Sequence, residues 1–146
     1  MAHLIVVSHG TFASGVVNAV EMITGKDENL DICSLDPEKG VVDFQQSFIE
    51  IIKKINTPET KLLILCDLYC GCPYTTAFEI TNSMLPADKF KIVSGVNLPM
   101  MLETCLANQQ HPDDLELLYK TALSAGHFGI HEPSIKGPLC DQDEVL

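Results

Sequence analysis

Four apolar runs of strand length, residues 3–8, 30–35, 62–68 and 90–96, recur along this chain with segments of helical period between them. That alternation produces a parallel sheet covered on both faces by helices. The expected architecture is α/β: a single, mostly parallel sheet with helices on either side. At 146 residues and 46% apolar content the chain fits one domain, which at this size buries about 70% of the surface exposed on unfolding.

Helix signals fill the intervals. A first helix is expected over 12–24, stopped by Gly25. In the second, Phe44, Phe48, Ile51, Ile52 and Ile55 repeat at helical spacing, while Asp43, Gln46, Glu50, Lys53 and Lys54 fall on the opposite side. A third starts at Pro73, which lacks only an N–H that a first turn leaves unpaired, and runs to about residue 83. A fourth follows Pro99. The last spans 112–125, with Asp113, Asp114 and Glu116 complementing its dipole and Gly126 at its end. Beyond it, residues 127–131 are expected to form one more short strand, and 132–146 an extended or disordered tail. The domain is thus placed at 1–131.

No apolar stretch approaches the roughly 18 residues that cross a bilayer, and the first residues carry no secretory pattern. Six cysteines at uneven spacing, two of them inside apolar runs, fit reduced thiols in a chain that needs no staples. A cytoplasmic protein is expected. Twenty acidic residues against nine basic give a net charge of −11, which opposes binding to nucleic acid or anionic lipid and otherwise serves solubility.

Two strand ends carry the residues able to do chemistry. The first run leads into Ser8-His9-Gly10, and the third into Asp67, followed by Leu68-Tyr69-Cys70-Gly71-Cys72-Pro73. In open α/β sheets ligands collect at the carboxyl ends of strands. A histidine near a strand end is commonly a capping or solvent-facing residue, but here an aspartate occupies a matching position. A neutral imidazole attacks phosphorus when one ring nitrogen is bare and the other is held as N–H by an acceptor. Asp67 can be that acceptor, fixing the ring and stabilising the positive charge that grows on it. Backbone N–H groups of the Gly10-Thr11 and Gly71-Cys72 turns, each leading into a helix N-terminus, are candidates to receive the phosphoryl oxygens. The chain contains no arginine, so a guanidinium clamp is excluded.

Cys66, Cys70 and Cys72 leave alternatives open. They fit packing and turn positions; with His9 nearby, Cys70 and Cys72 could hold zinc; and a thiol at a helix N-terminus could be redox-active. The spacing is C-x-C, with no second pair at zinc-finger distance. His111 precedes Pro112 at the start of the last helix, and His3, His127 and His131 have no evident carboxylate partner.

The segments Ile5-Val6-Val7-Ser8-His9-Gly10-Thr11-Phe12-Ala13-Ser14-Gly15, Asp67-Leu68-Tyr69-Cys70-Gly71-Cys72-Pro73 and Val93-Ser94-Gly95-Val96-Asn97-Leu98-Pro99-Met100-Met101-Leu102-Glu103 resemble the IIA component of the mannose-type phosphoenolpyruvate:sugar phosphotransferase system. The likeness covers about residues 3–131. It implies a phosphocarrier: His9 accepts a phosphoryl group from HPr and passes it to a IIB component, Asp67 orients His9, and the membrane IIC and IID components are served indirectly. It also implies a homodimer in which an antiparallel C-terminal strand, here 127–131, is exchanged; no cofactor or metal is expected. The family's turn reads Gly-Gly-Ser-Pro, so Cys70 and Cys72 replace a glycine and a serine, and a thiol is a weaker donor than a hydroxyl. A regulatory module of the same fold, in which phosphorylation reports sugar supply, is the second reading, and metal or thiol chemistry at Cys70 and Cys72 the third.

Overall fold

The computed structural model describes residues 1–133. Among them are four strands, β1 (His3–His9), β2 (Leu30–Leu35), β3 (Leu62–Cys66) and β4 (Phe90–Ser94). Five α-helices alternate with or follow them: α1 (Phe12–Thr24), α2 (Gly40–Ile55), α3 (Cys72–Met84), α4 (Leu98–Gln110) and α5 (Leu115–Phe128). The strands form one sheet in the order β2-β1-β3-β4, parallel throughout, with Leu4 opposite Leu30, Val7 opposite Cys66 and Cys66 opposite Ser94.

Period-two alternation in the strands divides the core into two layers. Leu4, Val6, Leu63, Leu65 and Val93 face α1, α4 and α5, meeting Val17, Val20, Met101, Cys105, Leu118 and Ala122. Ile5, Val7, Leu62, Ile64 and Cys66 face α2 and α3, meeting Phe44, Phe48, Ile52 and Ala77. β3 is buried along its whole length, which explains its unbroken apolar run, and each such leucine or isoleucine contributes on the order of 2 kcal/mol by leaving water.

The connections explain this layering. The chain steps from β1 to β2 in one direction, then returns across β1 to β3 and on to β4. Right-handed crossovers in opposite directions put α1 on one face and α2 and α3 on the other. The direction of winding reverses between β1 and β3, so a crevice opens at their carboxyl ends.

Among the described residues, 127–131 do not form the expected C-terminal strand. His127 and Phe128 belong to α5, and residues 129–133 follow without regular structure. The reason lies at Gly126, whose sequence position suggested a helix stop. It sits inside the helix, where a Cβ would meet Met100 Cε at 2.6 Å, so its glycine serves the close approach of α5 to α4. Gly129 caps the helix instead, donating to Ala125 O. At the other end, α5 begins at Leu115 and not at 112, because Asp113 has φ +74° and Asp114 becomes the N-cap, accepting from Leu117 N at 3.0 Å. Of the expected tail, residues 134–146 lie outside the described residues.

Candidate functional site

β1 ends at His9 because Gly10, at φ +52°, turns the chain out of the sheet in a conformation costly for residues with a Cβ. β3 ends one residue before Asp67, whose N–H still donates to Val7 O at 3.3 Å. The two strands are neighbours in register, and this brings the side chains together at the switch point. Asp67 Oδ2 accepts two hydrogen bonds from one residue: the His9 backbone N–H at 2.9 Å and the ring Nδ1 at 2.8 Å. The aspartate side chain is 13% exposed and the histidine 45%, so the carboxylate is largely sheltered while the ring stays open to solvent. Asp67 Oδ1 is buried with no hydrogen-bond partner among the described residues.

An ionised carboxylate only accepts, so Nδ1 carries the ring proton and Nε2 is left with its lone pair. Gly71 lies close against the ring at Cε1. A Cβ placed there would stand 3.0 Å from His9 Cε1 and 3.3 Å from Leu68 O. α1 begins at Phe12 and α3 at Cys72, so two helix N-termini with their partial positive charge flank the imidazole.

The glycine amides expected to hold a phosphoryl group are already engaged. Gly10 N donates to Leu35 O at 2.8 Å and Gly71 N to Leu68 O at 3.1 Å. Gly71 in addition leaves room beside the His9 ring, and Gly10 takes the left-handed turn that ends β1. The N–H groups of Thr11 and Cys72 have no acceptor among the described residues, consistent with the unpaired donors that open any helix. The Cys72 thiol lies 3.9 Å from Thr76 Oγ1, along its own helix.

The cysteines do not gather. Cys66 packs in the α2–α3 layer, where burial pushes its thiol up to about 12; Cys70 is exposed at φ +59°. Among the described residues, no group of three or more His, Cys, Asp or Glu side chains is placed to hold a metal ion.

Two contacts escape the sequence reading, one beside the site and one away from it. Ser8, wholly buried, accepts a hydrogen bond at Oγ from Ala13 N at 2.8 Å; its only signal is a polar residue ending an apolar run. His3 has a carboxylate partner after all, with Nε2 2.8 Å from Asp31 Oδ2. Strand pairing of β1 with β2 supplies this contact, but at the amino end of the sheet, away from the helix N-termini that flank His9. His111 caps the end of α4, His127 lies in α5, and His131 stands edge-on to Phe128 at 4.9 Å.

Fold and site together define a parallel α/β protein with a solvent-open histidine held by an aspartate at the topological switch point. The family model described as PTS system fructose IIA component matches residues 3–120, and the chain belongs to this family. It is 29% identical over 118 residues to the sorbose-specific EIIA component of Klebsiella pneumoniae, covering 79% of this chain and 82% of that protein. To the mannose-specific EIIAB component of Escherichia coli K12 it is 25% identical over 127 residues, covering 87% of this chain; it spans only 38% of that relative's length. The crystal structure of phosphotransferase system component EIIA from Streptococcus agalactiae shares the fold, with TM-score 0.79 at 24% identity, covering 90% of this chain and 97% of that one. Among the described residues no helix is long and apolar enough to cross a membrane.

Proposed function

We propose that the protein is a phosphocarrier whose His9 Nε2 takes a phosphoryl group from phosphorylated HPr and passes it to a IIB component, which in turn serves the membrane IIC and IID components. The observation that carries this reading is the bond from His9 Nδ1 to Asp67 Oδ2 at 2.8 Å on a ring that remains exposed. Membership of the IIA family supports it.

The Nε2 lone pair attacks phosphorus in line as the donor's nitrogen–phosphorus bond breaks and the donor imidazole keeps that electron pair. The His9 ring gains positive charge, which the adjacent Asp67 carboxylate stabilises while Nδ1 keeps its proton. The Thr11 and Cys72 amides, at the mouths of α1 and α3, are the donors suited to the phosphoryl oxygens. With no covalent chemistry beyond one bond exchange, rate depends on positioning and electrostatics. Transfer to IIB is the same exchange in reverse. The reading carries with it a cytoplasmic homodimer without cofactor, metal or nucleic-acid partner.

The test is intact-mass analysis after incubation with phosphoenolpyruvate, enzyme I and HPr. One acid-labile phosphoryl group is expected on the parent protein and none on His9→Ala. An unmodified parent, alongside a control IIA that is phosphorylated in the same mixture, would refute the proposal.

A further inference from the structure

The backbone on either side of His9 is tied to three different elements by three successive residues. Ser8 Oγ accepts from Ala13 N in α1 at 2.8 Å, His9 N donates to Asp67 beyond β3 at 2.9 Å, and Gly10 N donates to Leu35 O at the end of β2 at 2.8 Å. Two of these follow from the parallel sheet and from the aspartate already discussed. The first comes from a side chain outside the acceptor machinery.

We propose that Ser8 is a positioning residue for His9, holding the first turn of α1 against the end of β1 so that the ring meets Asp67. The inference rests on the reading of His9 as the phosphoryl acceptor. A helix N-terminus is ordinarily capped by the residue at its N-cap. Thr11 occupies that place in α1, yet its side chain makes no capping bond. The strand residue Ser8 supplies the oxygen in its place, reaching Ala13 in the second helical position.

This exchange has two consequences. It closes the segment from Ser8 to Ala13 into a ring that contains His9 and the left-handed Gly10, so the histidine backbone cannot shift without breaking a buried bond. It also leaves the Thr11 hydroxyl without a hydrogen-bonding duty at the helix mouth. Ser8 and Ala13 are both wholly buried, so removing the hydroxyl strands the Ala13 N–H away from water. The first turn of α1 then moves or frays to recover solvent, and it carries His9 with it.

The experiment compares Ser8→Ala and Ser8→Thr with the parent by two measurements, each made well below the variant's unfolding midpoint. The first is nitrogen-15 and proton NMR of the His9 ring as a function of pH, which reads the Nδ1–H bond to Asp67 without any phosphorylation. The second is single-turnover transfer from phosphorylated HPr. Ser8→Ala should weaken the protected Nδ1–H signal and slow transfer about tenfold, as a small misplacement of a reacting group does. Ser8→Thr, which keeps the hydroxyl, should restore both to near the parent values.

A folded Ser8→Ala protein with the parent's ring signals and transfer rate would overturn the proposal, reducing Ser8 to a helix cap. Should Ser8→Ala not fold, Ser8→Cys keeps the volume with a weak acceptor, and parent-like ring signals in that variant would overturn it equally. A parent that takes no phosphate would refute the acceptor reading, whereas the NMR comparison would still decide whether Ser8 positions the ring.

Discussion

The His9 ring is held at Nδ1 by the Asp67 carboxylate and given room at Cε1 by the absence of a side chain at position 71. Asp67→Asn retains the shape of the carboxylate and one acceptor oxygen but removes the charge that stabilises a phosphorylated, positively charged imidazole. Phosphorylation from HPr should slow by about 10-fold at least, the loss seen when a metal-bound histidine loses its carboxylate partner, and by up to about 10⁴ where the amide favours the wrong tautomer, with the fold intact by circular dichroism. Gly71→Ala tests the contact at Cε1. The added methyl group would press on His9 Cε1 and on the Leu68 carbonyl, so the ring must tilt from its bond to Asp67. Slower transfer with a displaced His9 ring resonance is expected; an unchanged rate would show that the loop from 68 to 71 yields more easily than the ring. His9 and Asp67 could be picked out from the sequence because each follows an apolar run that reads as a strand. The steric part of Gly71 could not, since a glycine looks the same whether it turns a chain, donates an amide or makes room for a neighbour.

The joint between α4 and α5 shows which local signals fail at the level of elements. Asn97 caps α4 by accepting from Met100 N at 3.0 Å and donates to Gly126 O in α5 at 2.9 Å, so one side chain serves two helices. Asn97→Ala should cost about 1–2 kcal/mol in urea denaturation, and Asn97→Asp, which keeps only the cap, should recover part of it. Gly126 and Gly129 both face α4, against different neighbours. A methyl group at 126 meets the mobile end of Met100, whereas one at 129 meets the Pro99 ring at 2.5 Å. Gly129→Ala should therefore destabilise by roughly 1–3 kcal/mol. Gly126→Ala should cost less, since Met100 can move aside and alanine favours the helix by about 1 kcal/mol. Equal losses would contradict this account. The end of α5 differs from the sequence expectation for the same reason: a glycine demanded by helix packing resembles a glycine that stops a helix.

Across the whole molecule, the two-layer core determines which thiols can react. Cys33, Cys66 and Cys105 are buried and pushed up to about 12 by desolvation, while Cys70 is exposed. Brief treatment with a maleimide at neutral pH, followed by peptide mapping, should modify Cys70 in the native protein and reach Cys33, Cys66 and Cys105 only after unfolding. Labelling of those three in the folded state would contradict the packing described. By itself the sequence determined the succession of strands and helices from β1 to α4, the site of the first helix and the two strand ends bearing His9 and Asp67. These are local properties: hydrophobic period, turn residues and the abrupt end of an apolar run are all visible within a few positions. Only the tertiary structure decided the strand order that makes β1 and β3 neighbours, the occupied amides of Gly10 and Gly71, the pairing of His3 with Asp31 and the capping of α1 by Ser8. Each of these depends on which backbone groups and side chains meet across the sheet. That is settled by packing among residues distant in the chain and leaves no trace in local composition.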